Sequence, residues 1–150
     1  MIQTSAFLLA QRFVGTKEIA GVAANPQVLA MLQLTDPSVQ DDSVPWCSGF
    51  VNYIAWLLRL PRSKSLAARS WLAVGTPINY ADARPDCDVV ILSRGAPPQP
   101  GPEVVNAQGH VGFYAGTQGS NVLILGGNQG DQVCIEQFPS FRVLGVRRLA

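Results

Sequence analysis

The sequence predicts an α+β domain, helices first and then a small antiparallel sheet of about five strands, and three observations point to it. Apolar residues recur at helical spacing up to about residue 75 and then give way to short β-rich runs. Those runs are separated by Gly, Pro, Asn and Ser, the residues of tight turns between antiparallel strands. Helices that precede all the strands pack on one face of the sheet. A chain of 150 residues, 47% hydrophobic and 14% charged, is large enough to bury one core without a disulfide or metal staple. The expected organisation is therefore a single domain over 1–150, helical over about 1–75 and sheet over about 86–150.

The elements follow in chain order. Residues 6–14 have the composition of a short helix. Asn25-Pro26 is a helix start, an N-cap side chain followed by proline at the first helical position, with Val28, Leu29 and Leu32 at helical spacing behind it. Asp, Pro and Ser make 35–43 a loop. A third helix spans about 45–60 and stops before Pro61, whose ring cannot continue the backbone ladder. A fourth spans 65–74 and is closed by Gly75. Strands are expected over 88–92, 110–114, 121–125, 132–135 and 142–146. The segment 95–102, with four prolines, is a stiff loop.

Charge excludes several classes. Eleven basic against ten acidic side chains leave +1, so no basic field marks a nucleic-acid partner. The N-terminal apolar patch lacks a basic flank and a small-residue cleavage site, and Gln11 and Arg12 interrupt it; neither a signal peptide nor membrane insertion is expected. Cys47, Cys87 and Cys134 are odd in number, without a CxxC pair and with a single histidine, His110, so neither a zinc site nor a disulfide framework is expected, nor any cofactor. Asp41-Asp42 is too short a cluster for calcium and is expected to be a solvated loop. A monomer is expected.

Chemistry concentrates on Cys47. It shares a helical stripe with Phe50, Val51, Ile54, Leu57 and Leu58, which fits a small buried core residue. It also stands in the first turn of its helix, where unpaired N–H groups and the helix dipole favour a thiolate. A nucleophilic thiol needs a base and a polar group to orient that base. His110 opens a strand after a glycine and is the only histidine available. If the strands around 110–114 and 121–125 form a hairpin that pairs Tyr114 with Ile124, Asn128 lies opposite His110; a shift of one residue puts Gly127 there instead. Asn128 is the candidate orienting residue, and Gln129 is held in reserve. A plain turn at Gly126-Gly127-Asn128 fits the spacing equally well.

Four motifs in order resemble the phage-type branch of the CHAP and NlpC-like cysteine peptidases: Pro45-Trp46-Cys47-Ser48-Gly49-Phe50-Val51-Asn52, Ala67-Ala68-Arg69-Ser70-Trp71-Leu72, Gly109-His110-Val111-Gly112-Phe113-Tyr114, and Leu125-Gly126-Gly127-Asn128-Gln129. The resemblance runs from Asn25-Pro26 to the last strand. It implies a papain-like α+β fold, cleavage of bacterial peptidoglycan at the muramoyl amide or within the stem peptide, Cys47 as nucleophile, His110 as base and Asn128 as the third polar residue. It implies peptidoglycan as the partner; from the chain length no separate wall-binding module is expected, and without a signal peptide the protein is expected to be made in the cytoplasm and to act at the wall. Cys87 stands where relatives commonly carry glycine, and Cys87 and Cys134 match no catalytic motif; both are expected to be packing residues.

On this reading Cys47 and His110 rest as a thiolate–imidazolium pair, the sulfur attacks an amide carbonyl, and water hydrolyses the thioester that follows. Trp46, Tyr114 and Gln129 border the substrate together with the loop 97–102, while Arg69 and Trp71 are structural. The competing readings are a non-catalytic wall-binding or assembly module of the same fold, and an effector that acts on protein amides.

Overall fold

The computed structural model describes residues 3–19 and 24–150. Ser5 caps α1 (Ala6–Gln11), its hydroxyl accepting the Leu8 N–H. This helix is shorter than expected because the chain turns at Gly15, φ +95°, whose N–H donates to Val133 O. In α2 (Pro26–Thr35) the Asn25 side chain accepts the Gln27 N–H and proline stands in the first turn, as the sequence indicates. Helix α3 (Cys47–Leu57) ends earlier than expected. Arg59 turns into the left-handed region at φ +57°, and the Leu60 N–H reaches back 2.8 Å to Ala55 O. Leu57 consequently leaves the buried stripe and is 40% exposed. The fourth expected helix is a 3-10 segment, Ala68–Ala73, followed by Gly75 at φ +76°. A Cβ on Gly75 would lie 2.5 Å from Arg148 O, so only glycine fits that turn.

The sheet has six strands: β1 (Thr76–Ile78), β2 (Asp88–Ser93), β3 (Gly109–Gln118), β4 (Asn121–Gln129), β5 (Gln132–Pro139) and β6 (Val143–Arg148). Their spatial order is β1-β6-β2-β3-β4-β5, with every neighbouring pair antiparallel. The sixth strand, β1, escapes sequence reading because it is three residues long with a central proline, which only an edge position tolerates. Tyr114 pairs with Ile124, the register read from the sequence.

Helix α3 packs on β3 and β4, and α2 packs on α3. The core between helices and sheet joins Trp46, Phe50, Ile54, Ile91, Phe113 and Leu125, all fully buried. The opposite sheet face has its own apolar cluster, Val90, Leu92, Tyr114, Val122, Ile124 and Val146, covered by Tyr80 and Phe138. Strand β2 is buried at every residue because both faces are covered, which explains its unbroken apolar run. Its one carboxylate, Asp88, is held by Arg148 through two bonds of 2.8 Å and accepts the Arg84 N–H. Among the described residues, no helix is long and apolar enough to cross a membrane.

Helix and sheet approach each other closely at Gly127. A Cβ there would lie 2.7 Å from the Trp46 ring and 2.8 Å from Phe50 Cβ. Gly127→Ala is therefore expected to push the start of α3 off β4 and cost about 1–3 kcal/mol, seen as a lower urea midpoint at unchanged m.

Candidate active site

Cys47 is the first residue of α3 and is 4% exposed. The helix begins without a side-chain cap, which leaves its first N–H groups free for other partners. The N–H groups of Val111, Ser48 and Cys47 itself are directed at the sulfur and, with the Arg94 charge, favour the thiolate; burial outweighs them and pushes the thiol pKa above its ordinary value. The Val111 contact places the sulfur against the backbone of β3, one residue beyond His110.

His110 lies on β3, 5% exposed, and strand alternation turns its ring towards the sheet face of Tyr114, away from the face that carries Val111 and α3. The ring stacks at 5.1 Å and 33° on Phe138. Burial, with smaller contributions from the Arg94 and Arg142 charges, lowers its pKa to about 4 against the bond to Gln129. Both groups are thus neutral at rest near pH 7, and the expected thiolate–imidazolium pair does not form. Desolvation decides this, because it penalises each charged form more than the neighbouring N–H groups compensate. Among the described residues, His110 Nε2 bonds Gln129 Oε1 at 2.8 Å, and no hydrogen bond joins the ring to Sγ.

Gln129, not Asn128, holds the imidazole. The β4 register shifts between Gly126 and Gln129, where Asn128 adopts φ +56°. This bulge inserts one residue and reverses the facing of those that follow, so Gln129 turns inward where straight alternation would have put Asn128. Gly126 makes the room: a Cβ there would lie 2.6 Å from Gln129 Oε1. The Gln129 amide donates to Ile124 O at 3.1 Å and Cys134 O at 2.7 Å. With both amide hydrogens committed to carbonyls, Oε1 faces the ring and can only accept. Nε2 must then carry the proton, and Nδ1 keeps the lone pair that a general base needs. Cys134 Sγ also donates to Gln129 O at 3.4 Å, so this thiol packs behind the orienting residue.

The remaining substrate contacts read from sequence are corrected by burial. Trp46 is wholly buried, with its indole N–H donated to Glu18 at 2.7 Å, and cannot wall a cleft. Tyr114 is 9% exposed and packs edge-on against Tyr80 in the far cluster. Asp42 is not solvated: it is 5% exposed and accepts the N–H groups of Ile19 and Asn25, tying that loop to the start of α2. Arg69 and Trp71 are buried supports. Trp71 Nε1 donates to Ser48 Oγ, and the Arg69 guanidinium donates to the carbonyls of Pro100, Gly101, Val104 and Gln108.

Three clefts open around the residue that follows β2. One, of about 410 Å³, contains Cys47, Pro45 and the segment 106–109; a second, of about 260 Å³, contains His110, Asn128, Gln129 and Arg142. The third, of about 470 Å³, runs between the proline-rich loop and Phe141. Arg94 borders all three. Sequence reading missed it; its one signal is its place directly after the buried run of β2.

The burial of His110 has a measurable consequence. A base whose folded pKa is lowered stays neutral in the native state while the unfolded chain takes up a proton on acidification. Its stabilising contribution is complete above the ordinary value of 6.5 and is lost as pH falls towards about 4. About 3 kcal/mol is expected to disappear across that window. His110→Gln should flatten this part of the stability–pH curve in urea titrations, and an unchanged slope would refute the assignment.

No protein-family model and no curated protein sequence matches the chain. Among solved structures it is similar to NlpC1 from Trichomonas vaginalis, with a TM-score of 0.53 and 17% sequence identity over 96% of this chain. The match spans 42% of that neighbour's length. At this identity the likeness shows the fold alone, an NlpC-like α+β arrangement of helices on an antiparallel sheet.

Proposed function

We propose that this chain is a cysteine-dependent hydrolase of bacterial peptidoglycan, cleaving an amide within the stem peptide or between muramic acid and the stem. The observation that carries the reading is the locked imidazole: Gln129 fixes Nε2 as the protonated nitrogen and leaves Nδ1 as a base on the strand whose backbone touches the Cys47 thiol, and the approach of ring and thiol, which have no bond between them at rest, is part of the proposal. The papain-like arrangement and the phage-lysin character rest on the four motifs alone, while the NlpC-like fold supports the broader cell-wall peptidase reading.

In this mechanism the thiol leaves the Val111 N–H as substrate enters and passes its proton to Nδ1 while sulfur forms a bond to the amide carbon. Such contacts commonly tighten only when substrate is bound. The oxyanion is met by N–H groups at the start of α3, including that of Cys47. The imidazolium protonates the departing amine, the C–N bond breaks, and a thioester remains. Water, deprotonated by Nδ1, attacks the thioester; the acid product leaves and the thiol is restored.

The test is digestion of purified peptidoglycan with mass spectrometry of the released fragments. New amino and carboxyl termini at one bond support the reading and identify the bond. The buried, protonated thiol favours a second reading, a wall-binding module without catalysis. Sedimentation with peptidoglycan without release of fragments would establish that instead.

A further inference from the structure

We infer that Glu18 and Trp46 are positioning residues for the nucleophile: the tethered indole fixes the start of α3 against the strand end that carries Gln129, and so sets where Cys47 stands. The role rests on the hydrolase reading for its reaction.

Helix α3 has no side-chain cap, so its first turn lacks the usual local anchor. Trp46, at the N-cap, supplies the first intrahelical acceptor, its carbonyl taking the Phe50 N–H at 2.9 Å. The turn that contains Cys47 and its N–H groups therefore follows Trp46. The indole, wholly buried, is held on two sides. Its ring lies against Gly127, two residues before Gln129, at a place where no Cβ fits. Its N–H is donated to Glu18 Oε1 at 2.7 Å.

Glu18 is itself fixed to the turn between β4 and β5. Its backbone N–H donates to Asp131 O at 2.9 Å, Lys17 forms a bridge with Gln132, and Gly15 and Thr16 exchange bonds of 3.0 and 2.8 Å with Val133. The segment 15–18, the Gln129 strand end and the Cys47 helix start thus close a circuit through one side chain. Glu18 lines neither the thiol cleft nor the imidazole cleft, and its side chain bonds Trp46 rather than Cys47 or His110. It acts on the thiol only through the indole.

The test is a double-mutant cycle of Glu18→Leu, which removes the acceptor, and Trp46→Phe, which removes the donor and keeps an aromatic ring. One readout needs no substrate: alkylation of Cys47 by iodoacetamide as a function of pH, with the modified cysteine identified by peptide mass. Without the anchor the first turn shifts within its buried setting, the N–H groups of Val111, Ser48 and Cys47 fall out of line with the sulfur, and the alkylation midpoint moves to higher pH. A merely structural role would loosen the packing, wet the thiol and move the midpoint to lower pH. The other readout is fragment release from peptidoglycan, expected to fall about 10- to 100-fold in either single variant. The double variant should lose no more than the weaker single one, and Glu18→Gln, which keeps an oxygen for the indole N–H, should restore both readouts. Additive losses, a midpoint that stays or falls, or a Glu18→Gln variant as impaired as Glu18→Leu would overturn the inference. A shared upward shift with no fragment release by the wild type keeps the anchor and removes the hydrolase reading. Release that is indifferent to Glu18 and Trp46 removes the anchor and leaves the hydrolase reading standing.

Discussion

Replacing Cys47 with serine is expected to lower fragment release from peptidoglycan roughly 10⁴-fold or more while leaving the urea midpoint close to that of the wild type. The sulfur touches N–H groups of Val111, Ser48 and Cys47 that a hydroxyl can also engage, so the fold does not need the thiol. The chemistry does. At rest the site supplies only a neutral imidazole of low basicity, and a hydroxyl releases its proton far less readily than a thiol. Cys47→Ala should be equally inactive. Release by either variant at the wild-type rate would show that the thiol is a core residue and nothing more.

Gln129→Leu is expected to cost about 100- to 10 000-fold in kcat/KM. Leucine fills similar space but accepts no hydrogen bond, so Nε2–H loses its partner, the tautomer is no longer selected, and the ring is free to turn. Two controls separate orientation from packing. Gln129→Glu keeps an acceptor and adds a negative charge against the ring, which raises the His110 pKa and should move the acid limb of the pH–rate profile to higher pH. Asn128→Gly should leave the rate nearly unchanged, since Asn128 contributes a left-handed backbone rather than a bond to the imidazole. If Asn128→Gly proved as damaging as Gln129→Leu, the orienting role would belong to Asn128.

The contrast between these two neighbours shows where sequence reasoning carries and where it stops. The start of α2 is legible because cap and proline act locally: Asn25 accepts an N–H two residues on, and Pro26 has its φ preset. The Tyr114–Ile124 pairing is legible from the hairpin, and Cys47 and His110 are legible as residue types in motifs. The facing of residues 126–129 is not, because strict alternation fails wherever a bulge intervenes. The available signal was asparagine's tolerance of positive φ beside two glycines, which marks an irregular strand end as readily as a turn. Burial explains the other corrections. Nothing in the order of residues says that Trp46 and Tyr114 face inward, or that both members of the thiol–imidazole pair are dry enough to stay uncharged. The position of Arg94 stayed hidden for the opposite reason: the clefts it borders are formed by segments distant in sequence.

The attachment of the proline-rich loop by Arg69 governs how this protein can be altered. One guanidinium beneath the loop gathers main-chain oxygens from Pro100, Gly101, Val104 and Gln108, so the groove wall is tethered from below through its backbone rather than through its own side chains. Side chains along that wall can therefore be exchanged without loosening its attachment. Changes in its length are constrained, because a graft must present the same four oxygens to the same cation.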